Sequence, residues 1–128
     1  MGIQFSQLIR SNAVKVIIAG GRDYELEEAD FLLLDSLHSK YNFTEVVSGT
    51  ARGIDTDGEY WANLRKIPVK RFPANWVKHG KAAGFIRNTE MANYADALIA
   101  FEGGNGTQHM VQQARKLGLK IILNVMNF

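Results

Sequence analysis

The residues best suited to chemistry form one glycine-rich stretch, Glu102-Gly103-Gly104-Asn105-Gly106-Thr107, between the apolar run Ala97–Phe101 and a helical pattern that begins at Gln108. Glycines without a Cβ allow backbone N–H groups to approach an anion, and a following helix adds unpaired N–H groups and the positive end of its dipole. Thr107 is a suitable N-cap for that helix. An ordinary strand-to-helix turn would look similar, but the neighbouring motifs favour a phosphate-binding turn. Its predicted ligand contacts are Gly103, Gly104, Asn105, Gly106 and Thr107.

Three further groups of polar and glycine residues follow apolar runs. They are Gly20-Gly21-Arg22, Ser48-Gly49-Thr50-Ala51-Arg52 with Asp55 shortly after, and Asn75-Trp76. An arginine guanidinium pairs with phosphate through two parallel hydrogen bonds, although Arg22 or Arg52 alone could be a solvated loop residue. Asp55 could bind ribose hydroxyls or complement a helix dipole. Trp76 could stack on a base or pack over a helix end.

The elements that position these residues alternate along the whole chain. Short apolar runs predict strands at 14–19, 43–47, 68–72, 96–101 and 119–123. Amphipathic patterns predict helices at 26–39, about 53–66, 81–95 and 108–117. This alternation predicts an α/β fold, a Rossmann-like doubly wound sheet of five mainly parallel strands with helices on both faces. Loops that follow parallel strands open on one edge of the sheet, so the four motifs are expected to converge there.

Length and composition fit one domain over residues 14–128, preceded by an extension, residues 1–13, to which we assign no function. The 128 residues are 46% hydrophobic, which is enough for a sizeable core. The chain contains no run of eighteen apolar residues, and its first residues lack the layout of a secretory signal. We therefore expect a cytoplasmic protein without a membrane partner.

Several site chemistries are disfavoured by residue usage. Cysteine is absent, which excludes disulfides and thiolate chemistry, and the three histidines show no metal-ligand spacing. We expect no metal site and no bound cofactor. The formal net charge of +2 is small for a nucleic-acid-binding protein, yet it permits an anionic small ligand.

Taken together, the motifs resemble the SLOG superfamily, the Rossmann-like fold shared by the DNA-processing protein DprA and the Lonely Guy phosphoribohydrolases. The resemblance covers roughly residues 14–123 and most resembles the small stand-alone, YspA-like branch. It is carried by the motifs at 19–22, 48–55 and 103–107, by Phe72-Pro73-Ala74-Asn75-Trp76, and by Gly84-Phe85-Ile86-Arg87-Asn88-Thr89-Glu90-Met91. The resemblance adds Arg87 and Asn88 to the predicted ligand contacts, although Arg87 could instead form a salt bridge on a helix face.

An enzyme is one function that the resemblance implies. Lonely Guy enzymes cleave the base from a nucleoside monophosphate, and their glycine motif carries a catalytic glutamate where this chain has Met110. A thioether cannot act as a general acid or base. Glu90 or Glu102 could substitute from another direction, so an N-glycosidic hydrolase stays an alternative that we do not favour.

The resemblance to DprA implies a second alternative, a single-stranded nucleic-acid binder, which the small net charge disfavours. The sequence favours a sensor or a sequestering protein that binds a phosphorylated nucleotide-derived molecule, such as an ADP-ribose-like molecule, a cyclic nucleotide or a mononucleotide. SLOG relatives also make a homo-oligomer possible.

Overall fold

A single five-stranded sheet organises residues 13–126, which are the residues that the computed structural model describes. The predicted extension therefore lies outside the described residues, except for Ala13. The strands are β1 Val14–Ala19, β2 Phe43–Ser48, β3 Val69–Arg71, β4 Ala97–Ala100 and β5 Lys120–Asn124. The helices are α1 Glu28–Tyr41, α2 Ile54–Leu64, α3 Trp76–His79, α4 Ala83–Tyr94 and α5 Asn105–Lys116, with a 3₁₀ turn at Gly80–Ala82.

All paired strands are parallel, in the order β3-β2-β1-β4-β5. The chain leaves β1 toward β2 on one side and leaves β4 toward β5 on the other, so the direction of winding reverses between β1 and β4. This confirms the predicted Rossmann-like α/β fold. The central strands are buried on both faces because their side chains are apolar at nearly every position, as in Val16, Ile17 and Ile18.

Two hydrophobic clusters lie on opposite faces of the sheet. One packs α1 and α2 against the sheet through residues such as Leu34, Ile54 and Trp61. The other packs α4 and α5 through Met91 and Met110, among others. The prediction of helices on both faces is therefore confirmed, and each strand-to-helix loop reaches the same edge of the sheet.

The structure corrects three local predictions. Helix α5 begins at Asn105 after an N-cap at Gly104, so Thr107 is a buried first-turn residue and not the cap. The segment 74–80, predicted as a loop, contains the short helix α3, because the Asn75 side chain accepts a hydrogen bond from Lys78 N at 3.0 Å. The helical spacing of Leu117 with Met110 and Ala114 predicts a core position, but Leu117 is the C-cap residue of α5 and is exposed.

Candidate functional site

A cavity of about 300 Å³ opens at the carboxyl edge of the sheet, where the winding reverses between β1 and β4. We call it the inner cavity. It receives residues from the loops after β1, β2 and β4 and from α4 and α5. Its lining includes eleven residues predicted as ligand contacts: Gly20, Gly21, Arg22, Ala51, Asp55, Arg87, Asn88, Gly104, Asn105, Gly106 and Thr107. This is the convergence that a parallel sheet predicts.

The N-terminus of α5 forms one wall of the inner cavity. Gly104 is the N-cap, and no side chain caps the helix there. Apart from adjacent residues and the nearby backbone of α5, no atom of the described residues would lie within 4 Å of a Cβ added to Gly104 or Gly106, and neither residue has a positive φ. Neither neighbours nor backbone conformation therefore requires these two glycines, and the space beside them is available to a ligand. Unpaired N–H groups at a helix N-terminus suit an anion.

The glycines of the first loop have a different role, which is to let backbone segments approach each other. A Cβ at Gly20 would lie 2.5 Å from Ile54 Cγ1. Gly21 N donates a hydrogen bond to Glu102 O at 2.7 Å, and a Cβ at Gly103 would lie 2.8 Å from Gly21 N. The loops after β1 and β4 are thus joined directly. Gly103 borders a separate shallow cavity beside Tyr24, outside the inner cavity.

Two arginines supply positive charge to the inner cavity. Within residues 13–126, Arg22 forms no hydrogen bond or ion pair, so its guanidinium is available to a ligand. Arg87 is partly buried and is held by Gly49 O, to which Nη1 donates, and by Asn88 Oδ1, 3.1 Å from Nε. Burial lowers the pKa of Arg87. The Arg87 guanidinium is thus held in place by hydrogen bonds, whereas the Arg22 guanidinium can move to meet a ligand.

Asn88 connects Arg87 to the N-terminus of α5. Its amide Nδ2 donates to Gly106 O at 3.1 Å and lies 3.2 Å from His109 Nδ1, while Oδ1 accepts from Arg87. The His109 ring stacks on Phe85, with centroids 4.1 Å apart, and burial lowers the pKa of His109. Asn88 lines the cavity, but these contacts make it above all a positioning residue for Arg87 and α5.

Asp55 is the acidic group that lines the inner cavity in the described part of the chain. The residue is 8% exposed, and its Oδ2 accepts a hydrogen bond from Ala51 N at 3.2 Å. Burial raises the pKa of Asp55 to about 6, against the opposing effects of the Ala51 hydrogen bond and of Arg87. Asp55 therefore titrates near neutral pH inside a cavity whose other charged side chains are Arg22 and Arg87.

A second cavity of about 350 Å³, here called the outer cavity, adjoins the inner one and shares Arg22, Ala51 and Arg87 with it. It brings in four more of the predicted contacts: Gly49, Thr50, Arg52 and Trp76. Thr50 has a φ of +64°, a conformation that costs a β-branched residue energy. Arg52 reaches Asp23 at 3.2 Å in an exposed ion pair.

Like Gly103, Ser48 is a predicted contact that lines neither the inner nor the outer cavity. Its hydroxyl donates to Glu59 Oε2 at 2.6 Å and accepts from Thr50 N at 3.1 Å, so it is engaged within the protein.

Sequence reasoning also missed several lining residues, namely Ala19, Met91, Met110, Pro73 and Ala74. Helical spacing could have identified Met91, since it lies one turn beyond Arg87 on the same face of α4.

The acidic residues considered as catalytic substitutes lie elsewhere. Met110, which the resemblance to Lonely Guy enzymes aligns with their glutamate, is buried at the inner cavity. Glu90 lies exposed on α4 and lines neither cavity. Glu102 borders the separate cavity beside Tyr24. A catalytic carboxyl in this site would therefore have to be Asp55.

Comparison with known proteins identifies the family of this chain. Residues 14–79 match the family described as the YspA, cpYpsA-related SLOG family. The chain belongs to this family. It is also 36% identical over 117 residues to the Gene 61 protein of Mycobacterium phage D29, an alignment that covers 84% of this chain and 94% of that protein.

The SLOG match includes the loops after β1, β2 and β3, and therefore Arg22, Asp55 and Trp76. Arg87 and the Gly103–Thr107 turn lie beyond the matched residues and join the site through the fold. Membership of the SLOG family indicates, in general terms, a nucleotide-related ligand. None of the helices described is both long and apolar enough to span a membrane.

Proposed function

We propose that this SLOG domain binds a phosphorylated nucleotide-derived small molecule at the carboxyl edge of its sheet, as a sensor or as a sequestering protein for that molecule. An ADP-ribose-like molecule, a cyclic nucleotide or a mononucleotide would meet the requirements of the site. The phosphate would lie against Gly104–Thr107, and Arg22 and Arg87 would neutralise its charge.

One observation carries the proposal, namely the meeting of Arg22, Arg87 and the uncapped N-terminus of α5 around one cavity. A guanidinium and a helix N-terminus both prefer a negatively charged oxygen ligand. Gly104 and Gly106 leave the helix backbone open to that ligand. Within residues 13–126, no carboxylate forms an ion pair with Arg22.

The test is a thermal-shift screen of the purified protein against AMP, GMP, cyclic nucleotides, NAD and ADP-ribose. A ligand present at a hundredfold its Kd adds about 2.7 kcal/mol to the free energy of unfolding, which raises Tm by several degrees. The variant Gly104→Val should abolish that shift, because its side chain would occupy the phosphate position. The fold should persist, because nothing in the described structure apart from adjacent residues lies within 4 Å of the added Cβ.

A matched control places valine elsewhere on the same helix. Gln112 is exposed on α5 and lines neither cavity, so Gln112→Val should keep the full ligand-induced shift. Far-ultraviolet circular dichroism reports whether both variants are folded. A folded Gly104→Val protein with undiminished affinity would refute the phosphate position.

One observation favours a second candidate, an N-glycosidic hydrolase acting on nucleoside monophosphates. Asp55 places a carboxyl with a pKa of about 6 inside the cavity, where general acid-base chemistry at neutral pH would be effective. Mass spectrometry of the ligands after the screen separates the two functions. Recovery of intact nucleotide supports binding alone, whereas free base and ribose 5-phosphate would establish hydrolysis.

A further inference from the structure

We propose that the ligand is a nucleotide held across both cavities, with its phosphate in the inner cavity and its base stacked on Trp76 in the outer one. This inference rests on the proposed function and specifies how the two ends of the ligand are recognised. It also predicts that the base is recognised by its flat face and not by its edge.

The lining of the inner cavity leaves no obvious place for a base. Among the residues that the structure describes, those lining this cavity include no aromatic side chain. Its walls are glycines, small side chains, two methionines and the charged groups Arg22, Asp55 and Arg87. Its volume of about 300 Å³ is at the lower end of the usual range for small-molecule sites, about 300–1,000 Å³. The base of a nucleotide would need further space.

The outer cavity supplies that space together with an aromatic surface. Trp76 is 52% exposed at the start of α3, and its indole borders the cavity. The indole packs close to Gly84 of α4, since a Cβ added to that glycine would lie 3.5 Å from Trp76 Cη2. The same Cβ would lie 3.7 Å from Arg87 Nη2, so the indole and the guanidinium both approach this glycine. A base stacked on Trp76 would thus lie close to Arg87.

The junction between the cavities carries the positive charge. Arg22 and Arg87 border both cavities, so either guanidinium can contact the phosphate end of a molecule that extends toward Trp76. A nucleotide has this order of groups, with an anion at one end, a sugar between, and a planar ring at the other. Ribose 5-phosphate has the first two groups only and would leave the outer cavity unused.

The outer cavity has little means of reading the edge of a base. In the described chain, no side-chain amide and no carboxylate lines it. Its polar side chains are Thr50 and three arginines. Arg52 is paired with Asp23, and Arg22 and Arg87 also line the inner cavity, where they would contact the phosphate. Stacking accepts any base because every base has a π-face. AMP and GMP should therefore bind with similar affinity.

The experiment compares three probes, AMP, GMP and ribose 5-phosphate, by isothermal titration calorimetry. One stacked base contributes roughly a 5- to 150-fold gain in affinity. Wild-type protein should therefore bind AMP and GMP more tightly than ribose 5-phosphate by a factor in this range. The variant Trp76→Leu should lose this preference and keep its affinity for ribose 5-phosphate, and Trp76→Phe should retain part of the preference.

Val77 provides the matched control, because it neighbours Trp76 on α3, is fully exposed and lines neither cavity. Val77→Ala should bind all three probes as the wild type does. If wild-type protein binds AMP and ribose 5-phosphate equally, or if Trp76→Leu keeps the preference for AMP, the stacking inference is overturned while the proposed function stands. If the wild type binds none of the probes and none of the screened nucleotides, both fail together.

Discussion

At the scale of single residues, the most unusual group is the carboxyl of Asp55. It lies in a pocket with Arg87 nearby, yet no ion pair within 4.0 Å joins the two side chains. Burial therefore dominates and raises the pKa of Asp55 to about 6. A carboxyl with so high a pKa costs the folded protein stability whenever it is ionised.

The pH dependence of stability follows from this pKa. The folded state holds the Asp55 proton up to about pH 6, while the unfolded chain releases it near the ordinary value of 3.8. Relative to Asp55→Asn, which has no proton to release, the wild type should lose roughly 2 kcal/mol of stability as pH rises from 4 to 7. Urea unfolding of both proteins at pH 4, 5, 6 and 7 measures the difference. A difference independent of pH would contradict the assignment.

The glycines show where sequence reasoning stops at this scale. The motif Gly103–Thr107 predicted a phosphate turn, but glycines that face open space and glycines that join two loops look identical in a sequence. Gly104 belongs to the first kind and Gly103 to the second, and only the positions of Gly21 and Thr107 distinguish them. Ser48 illustrates the same limit, because its partner Glu59 is set by the tertiary structure.

At the scale of elements, the order and type of the strands and long helices were predictable because their apolar patterns are strong. Strand β1 was predicted at its observed bounds, since a β-branched run ends at two glycines. The predicted start of α5, Gln108, lies three residues after the observed start, Asn105, because a glycine at the N-cap gives no side-chain signal. Helix α3 was missed, because its four residues are too few to show a helical period.

Helices α1 and α2 are joined by a partly exposed polar contact at Asp35. Its Oδ1 accepts from Trp61 Nε1 at 2.9 Å and from Arg65 Nε at 2.6 Å, and the hydrogen bond from Arg65 is the main cause that lowers the pKa of Asp35 to about 2. Trp61 is fully buried. Loss of the acceptor would therefore leave an indole N–H unpaired in the core.

We accordingly expect Asp35→Ala to lower the free energy of unfolding by about 1–3 kcal/mol at pH 7. Because the folded pKa is depressed, the stabilisation is complete above about pH 4 and is lost as pH falls toward 2. Chemical unfolding at pH 7 and pH 3 measures both effects. Asp23→Ala is the control, since this residue's ion pair is 93% exposed on the Asp23 side and should contribute almost nothing. Equal losses in the two variants would refute the argument.

At the scale of the whole molecule, the site lies at the carboxyl edge of the sheet, between the helices that cover its two faces. The loops after β1 and β2 lead into α1 and α2, which cover one face of the sheet, whereas α4 and α5 cover the other face. A ligand in the inner cavity would contact elements from both faces. Its binding energy would therefore oppose global unfolding and not only the fraying of one loop. This placement explains why a cavity-lining substitution is best judged by thermal stability with and without ligand.

The net charge of the molecule distinguishes a small-ligand site from a nucleic-acid groove. A formal charge of +2 and two arginines at the cavity suffice for one or two phosphates. Affinity for AMP should then fall only weakly with salt concentration, because a mononucleotide has no condensed counterions to release. Since each phosphate contact on single-stranded DNA contributes about −0.7 to the slope of log affinity against log salt concentration, a groove with six contacts would give a slope of about −4.

Calorimetry with AMP and fluorescence anisotropy with a labelled oligothymidylate, both between 50 and 500 mM salt, provide the comparison. We expect weak oligonucleotide binding at every salt concentration, because Arg22 and Arg87 together can contact only one or two phosphates. Arg22→Ala should reduce affinity for AMP and flatten its salt dependence together, since the same guanidinium causes both. Tight oligonucleotide binding with a slope near −4 would instead assign the basic surface around Trp76 to single-stranded nucleic acid.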